Sequence, residues 1–406
     1  MKKELSNATA PMIESEIVSV GRDLARTLSS VLNALPGAPH RPQWLSRLLG
    51  VNTVLTSRVI KAAGQQDPLA VAHMVPGPEP LRRLLRAAER KKVDDTLIGE
   101  AQAAVDAFER LIDQVAGDRS ALDAIISGWL PDARDHVEMI AKQSVFRGIS
   151  QLLGAACDVT HFAALLYPSA SARDRVDQVW LVINRGLRRV RPGLIVKFDS
   201  VHSSTPLLTV AGTSVENLDG LFLEQFCSKP LPRFEVSRLG NRAQYALAGD
   251  DVGVQSGVDL VHATLLPGKK ERHRSRDDLP RKTAVSIGVD LPTRILIFDL
   301  LLHESVFPGQ QPSFGVYRTE ADGVVDPNDA SREIDRLDVL ETLQPLGIGI
   351  AKFRAAEAPG YQDMLRYVCE QRGWDTAKLR GFRCKIEYPV YSSQIVMAFD
   401  LPIAPA

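Results

Sequence analysis

Cysteine is scarce in this 406-residue chain: Cys157, Cys227, Cys369 and Cys384 stand far apart and never form a CxxC pair. That excludes a disulfide framework and a thiolate zinc site, and it fits a reducing compartment in which the thiols behave as small apolar residues. Long apolar runs are missing too. A membrane-spanning helix needs about 18 to 20 apolar residues, whereas the best stretch, Ile295 to Leu302, is short and broken by Asp299. Met1-Lys2-Lys3 imitates the start of a secretion signal, but Glu4, Ser6 and Asn7 stand where its apolar core belongs, so a cytoplasmic protein with no membrane partner is expected. Net charge is also absent, with 49 Lys+Arg against 49 Asp+Glu, which says nothing in favour of a strongly basic nucleic-acid binder or an acidic tail, although a balanced total can hide a local patch. The rest is an ordinary folded composition, 45% hydrophobic and 24% charged, long enough for two or three domains.

What is present changes character once along the chain. Ile13, Ile17, Val20, Leu24, Leu28, Val31 and Leu35 recur with nearly helical period, which predicts an amphipathic helix stopped by Pro36 and Gly37. A second helical region from Arg41 to Ala63 breaks at Gly50, and Leu81, Leu84, Leu85 and Ala88 line a third. Further helices are predicted over Ile98 to Val115, Ser120 to Ser127 and Pro131 to about Leu153.

After Gly154 the pattern turns to short runs bounded by Gly, Pro, Asp and Ser, among them His161 to Tyr167, Val258 to Leu266 and Ile295 to Leu302, as strands require. Phe382, Cys384, Ile386 and Tyr388 alternate with Arg383, Lys385 and Glu387, which predicts a half-buried strand, with Ile395 to Phe399 as its hairpin partner. Gly360 to Arg372 reads as a helix, and Val176 to Val190 suits either period. The expected fold class is α+β: an all-helical domain, 1–153, containing a helix-turn-helix at about 41–63, then a β-rich mixed domain, 154–406.

The most specific local pattern is Arg41-Pro42-Gln43-Trp44-Leu45-Ser46-Arg47-Leu48-Leu49-Gly50-Val51-Asn52-Thr53-Val54-Leu55-Thr56-Ser57-Arg58-Val59-Ile60-Lys61. Two helices joined by a short turn cross steeply, so they need a small side chain at the crossing and a turn residue at ease with positive φ. Ser46 and Gly50 supply these structural features, and Val51, Leu55 and Val59 give the second helix its buried stripe. On these residues the segment resembles the helix-turn-helix of bacterial transcription-regulator families. The resemblance covers residues 41–61 and implies double-stranded DNA as partner and a homodimer as a possible assembly. It puts Asn52, Thr53 and Ser57 nearest the bases, with Thr56 on the same face and Arg58 and Lys61 on phosphates. Val54, where such regulators present a polar reader, and Thr56, where they place an apolar residue, depart from the pattern.

Local charge agrees, since Arg41 to Lys92 holds ten basic residues against Asp67, Glu79 and Glu89, a segment near +7 inside a neutral chain. A second cluster, Lys269 to Arg276, reads as an exposed hairpin loop without the interleaved aromatics of a base-stacking surface.

Motifs for an enzyme are thin. The eight histidines lack metal-ligand spacing, no Walker lysine or nucleophile elbow occurs, and Asp326-Pro327-Asn328-Asp329 lacks the later ligands of a calcium loop, so no catalytic residue, metal or cofactor is expected. The nearest acid/base pairs are Asp199 with His202 and Asp299 with His303, each at a strand end, with Arg294 a natural partner for Asp299. The leading expectation is thus a DNA-binding regulator with a C-terminal sensing or assembly domain. A scaffold protein carrying a regulator-like hairpin and an enzyme using those strand-end residues are the alternatives.

Overall fold

Prolines in first turns and short polar caps set where the N-terminal helices begin. In the computed structural model these are α1 (Lys2–Ala34), α2 (Pro42–Leu49), α3 (Thr53–Ala63), α4 (Pro68–Met74), α5 (Pro78–Glu89), α6 (Asp95–Arg110), α7 (Arg119–Ser127) and α8 (Pro131–Leu153). Residues 2–202, 206–240, 242–249, 251–319 and 323–404 are described, with backbone alone at 2–11, 131, 132, 136, 199–202 and 239. Proline opens α2, α4 and α5, where its missing N–H costs nothing. Asn52, Asp67, Asp94 and Asp118 cap α3, α4, α6 and α7 by accepting a backbone N–H.

The chain divides into two compact units, Met1–Ile140 and Ala141–Ala406. In the first, the predicted stripe of α1 is the core: Ile17, Leu24, Leu28 and Val31 are fully buried or nearly so, against α4 and α6. Gly21 lets α4 approach closely, because a Cβ there would meet the Pro68 carbonyl oxygen at 2.1 Å.

The second unit is built from β1 (Ala155–Pro168), β2 (Arg175–Arg189), β3 (Val196–His202), β4 (Leu207–Leu208), β5 (Ser214–Val215), β6 (Phe234–Leu239), β7 (Arg242–Leu247), β8 (Val258–Glu271), β9 (Lys282–Gly288), β10 (Thr293–His303), β11 (Ser313–Arg318), β12 (Gln344–Ile348), α9 (Tyr361–Arg372), β13 (Leu379–Glu387) and β14 (Ser393–Asp400). A six-stranded sheet runs β12-β13-β10-β1-β2-β8, with β1 and β10 parallel and the other neighbours antiparallel. Ala163, Leu165, Leu181 and Val261 on one face pack with Met364, Leu365 and Val368 of α9. Leu166, Phe298, Leu300 and Cys384 on the other pack with Ile287, Ile395 and Met397 of a second sheet, β11-β14-β9. A third sheet, β3-β7-β6, and the β4-β5 pair complete the unit.

The layout is α+β, helices first and sheets after, and strand begins at Ala155, next to Gly154. Val176 to Val190 resolves as strand, since Arg175–Arg189 is β2. Three sequence expectations need correction. The run from Ile395 to Phe399 is no hairpin partner of β13, because β13 pairs with β10 and β12 while β14 pairs with β9 and β11. The basic stretch from Lys269 is no hairpin loop either: β8 continues to Glu271, and the chain then crosses to a different sheet at β9. The polar face of β13 is not open to solvent at Arg383, which is 9% exposed. Among the described residues no helix is long and apolar enough to cross a membrane.

Candidate nucleic-acid interface

The turn between α2 and α3 is held by backbone geometry first. Gly50 takes φ 66° and ψ 34°, the left-handed conformation that glycine adopts without Cβ strain. Ser46 is half-buried and acts through its hydroxyl, which donates to Val51 O at 2.6 Å and accepts from Thr53 Oγ1 at 3.1 Å. Those two bonds pin the turn. Asn52 Oδ1 accepts from Val54 N at 2.7 Å and starts α3. Leu45, Leu49, Leu55 and Val59 seal the inner side.

The outer side carries most of the predicted face. Asn52, Thr53, Arg58 and Lys61 are exposed and Ser57 is half-buried. Thr56 is a correction: it is fully buried, its hydroxyl shared between Pro42 O at 2.8 Å and Thr53 O at 3.0 Å. Those two carbonyls satisfy the hydroxyl inside, so polarity alone did not place it outward. Arg58 also leans on the end of α4, its Nη2 3.4 Å from Met74 O and 3.5 Å from Val75 O.

Arg41, Gln43, Trp44 and Arg47 are further exposed groups on or just before α2 that the sequence reading did not single out. The available signal was Gln43 and Arg47 four residues apart on a helix that, in such motifs, crosses the phosphate backbone. Trp44 is 41% exposed and stacks on His40 with ring centroids 5.0 Å apart.

The basic segment sorts into two groups. Arg82 is committed, donating to Glu109 Oε1 at 2.8 Å and Asp106 Oδ1 at 2.7 Å, and these hydrogen bonds, Glu109 first, hold its guanidinium above its ordinary value. Arg86 pairs with Glu79. Arg41, Arg47, Lys61, Arg83, Arg90, Lys91 and Lys92 are exposed and, among the described residues, hold no ion-pair partner.

Asp299 and His303 take different partners. Asp299 is fully buried under α9, where Arg383 Nε and Nη2 each donate at 2.7 Å and Tyr361 Oη donates at 2.8 Å. His161 Nε2 stands 3.1 Å from its Oδ2, an ion-pair contact without hydrogen-bond alignment. Burial pushes the Asp299 carboxyl up, but His161 and the Arg383 fork outweigh it and pull it down to about 2. Its partner is therefore Arg383 and not Arg294, which instead faces Asp158. His303 turns to Ser305 and the edge of Tyr167. The side chains of Asp199 and His202 lie outside the described residues. Burial pushes the thiols of Cys369 and Cys384 up to about 12, far from a thiolate nucleophile. No cluster of His, Cys, Asp or Glu among the described residues has the makings of a metal site.

No protein-family model, no curated protein and no solved structure matches this chain.

Proposed function

We propose that the protein binds double-stranded DNA through α3, in the cytoplasm, as a transcription-regulator-like protein whose β-rich unit senses a signal or mediates assembly. One observation carries the reading: Thr53, Arg58 and Lys61 stand together on the solvent side of a helix whose start is fixed by Gly50 and by the Asn52 cap. A helix presented in this way fits the major groove, with Thr53 and Ser57 toward base edges and Arg58 and Lys61 toward phosphates. Arg41 and Arg47 extend the same cationic surface onto α2. Regulation would be by occupancy, and two copies would reach half-sites roughly 34–36 Å apart.

A second reading draws on Val54, 66% exposed, and Trp44: apolar groups on this face suit a protein partner. The deciding experiment is enrichment of duplexes from a random pool at low ionic strength, followed by mobility shift with the Arg58→Ala/Lys61→Ala double variant. The expected result is a shifted duplex for the wild type and at least a tenfold weaker one for the double variant at equal thermal stability. Enrichment of no duplex sinks the DNA reading.

A further inference from the structure

A cavity of about 330 Å³ opens on the face of the six-stranded sheet that packs against the β11-β14-β9 sheet, at the edge of that packing. Strand alternation builds it: Thr160 and Phe162 of β1, Trp180 and Asn184 of β2, and His262 of β8 all project to that face. Phe198 of β3 closes one side, and Ile287 to Leu291 at the end of β9 close another.

Three aromatic rings, Phe162, Trp180 and Phe198, offer flat apolar surface. Trp180 packs beside two other rings of the same sheet face, 6.1 Å from Phe298 and 6.4 Å from Phe162. At the floor lies an ordered polar chain. Thr293 Oγ1 donates to Leu291 O at 3.0 Å, so in its 2.8 Å bond with Thr160 the donor is Thr160. Asn184 Nδ2 donates in turn to Thr160 Oγ1 at 3.2 Å, and it faces Cys157 Sγ at 3.9 Å. Thr160, Asn184 and Thr293 are each no more than 4% exposed. The chain fixes the Asn184 amide with both N–H groups turned inward, and its Oδ1 takes no part in it.

Charge narrows the ligand further. Among the described residues lining the cavity there is no lysine or arginine, while the exposed carboxylate of Asp290 stands at its edge. An anionic ligand would lose its hydration here without a lysine or arginine to compensate, whereas a ring N–H finds an acceptor in Asn184 and a cationic tail is drawn toward the carboxylate of Asp290. The volume lies at the small end of the roughly 300–1,000 Å³ of small-molecule sites, which suits a one- or two-ring compound and excludes a dinucleotide.

We infer that this cavity binds a small planar aromatic compound that donates an N–H and is neutral or positively charged. The inference stands apart from DNA binding, and so does its test. Isothermal titration of the full chain uses three probes sharing one ring, tryptamine, indole and indole-3-acetate. Tryptamine is expected to bind at least tenfold more tightly than indole-3-acetate, with indole between them. Asn184→Leu should weaken tryptamine at least tenfold, and Ser286→Phe, which fills the cavity from β9, should abolish its binding while leaving circular dichroism unchanged. Should Asn184→Leu fail to fold, Ser286→Phe decides alone. Absence of binding by both tryptamine and indole at millimolar concentration, indole-3-acetate binding as tightly as tryptamine, or undiminished binding in Ser286→Phe would each overturn the inference.

Discussion

Asp299 shows how one residue type changes meaning with its surroundings. On a strand it reads as a displayed carboxylate ready for acid/base work; beneath α9 it is the fully buried centre of a charged cluster, held by the Arg383 fork and by Tyr361. Its folded-state value of about 2 lies below the ordinary 3.8. The ionised carboxylate therefore contributes stability that is complete above about pH 4 and is lost as pH falls through about 2. Asp299→Asn would leave the Arg383 guanidinium buried without its counter-charge, a change that costs roughly 3–5 kcal/mol. Urea unfolding should register that loss near neutral pH, and the gap between variant and wild type should narrow as acid approaches pH 2. A loss under about 1 kcal/mol would contradict the account. Thr56 errs in the opposite sense, polar yet internal, because two backbone carbonyls complete its hydroxyl within the helix pair.

Elements were legible where a single face is buried. The stripe of α1 and the break at Gly50 follow from one-sided periodicity and turn chemistry, so α2 and α3 emerge at the predicted place. β2 resisted because it is covered on both sides: Val176, Asp177, Gln178 and Val179 are all buried, which erases the period-2 signal. The mistaken β13–β14 hairpin has a different cause. Residues 388–392 are short enough for a hairpin turn, yet they pass the chain from one sheet to the other, and strand pairing across sheets leaves no local mark. Asp299 with Arg383 was illegible for the same reason, their partnership being set by the register of β10 against β13.

At the start of α3 the residue to test is its cap, since Asn52 is both exposed and committed to Val54 N. Asn52→Asp separates the roles: aspartate caps equally well, so thermal stability should hold, while the added negative charge on the exposed face should weaken duplex binding at least tenfold. Asn52→Ala should instead cost about 1 kcal/mol of stability. Unchanged affinity in Asn52→Asp would remove this end of the helix from the interface.

At the scale of the whole molecule, neutrality makes electrostatics a question of placement. Equal numbers of acidic and basic residues predict no long-range attraction to DNA, so any binding must come from the local surplus between Arg41 and Lys92. That surplus is smaller than its count suggests, because Arg82 and Arg86 are already paired with acidic side chains. Salt dependence distinguishes the two groups. Each phosphate contact contributes about 0.9 to the slope of log affinity against log salt, so Lys61→Ala, which removes an exposed cation, should lower the slope by about that amount and leave folding intact. Arg82→Ala should do the reverse, lowering stability through the loss of its links to Asp106 and Glu109 while the slope stays where it was. Affinity measured from about 50 to 200 mM salt for these variants and the wild type makes the comparison. If the slope responds to Arg82 and ignores Lys61, the cationic face is not the one built around α3, and duplex contact must be sought on the exposed arginines of α5.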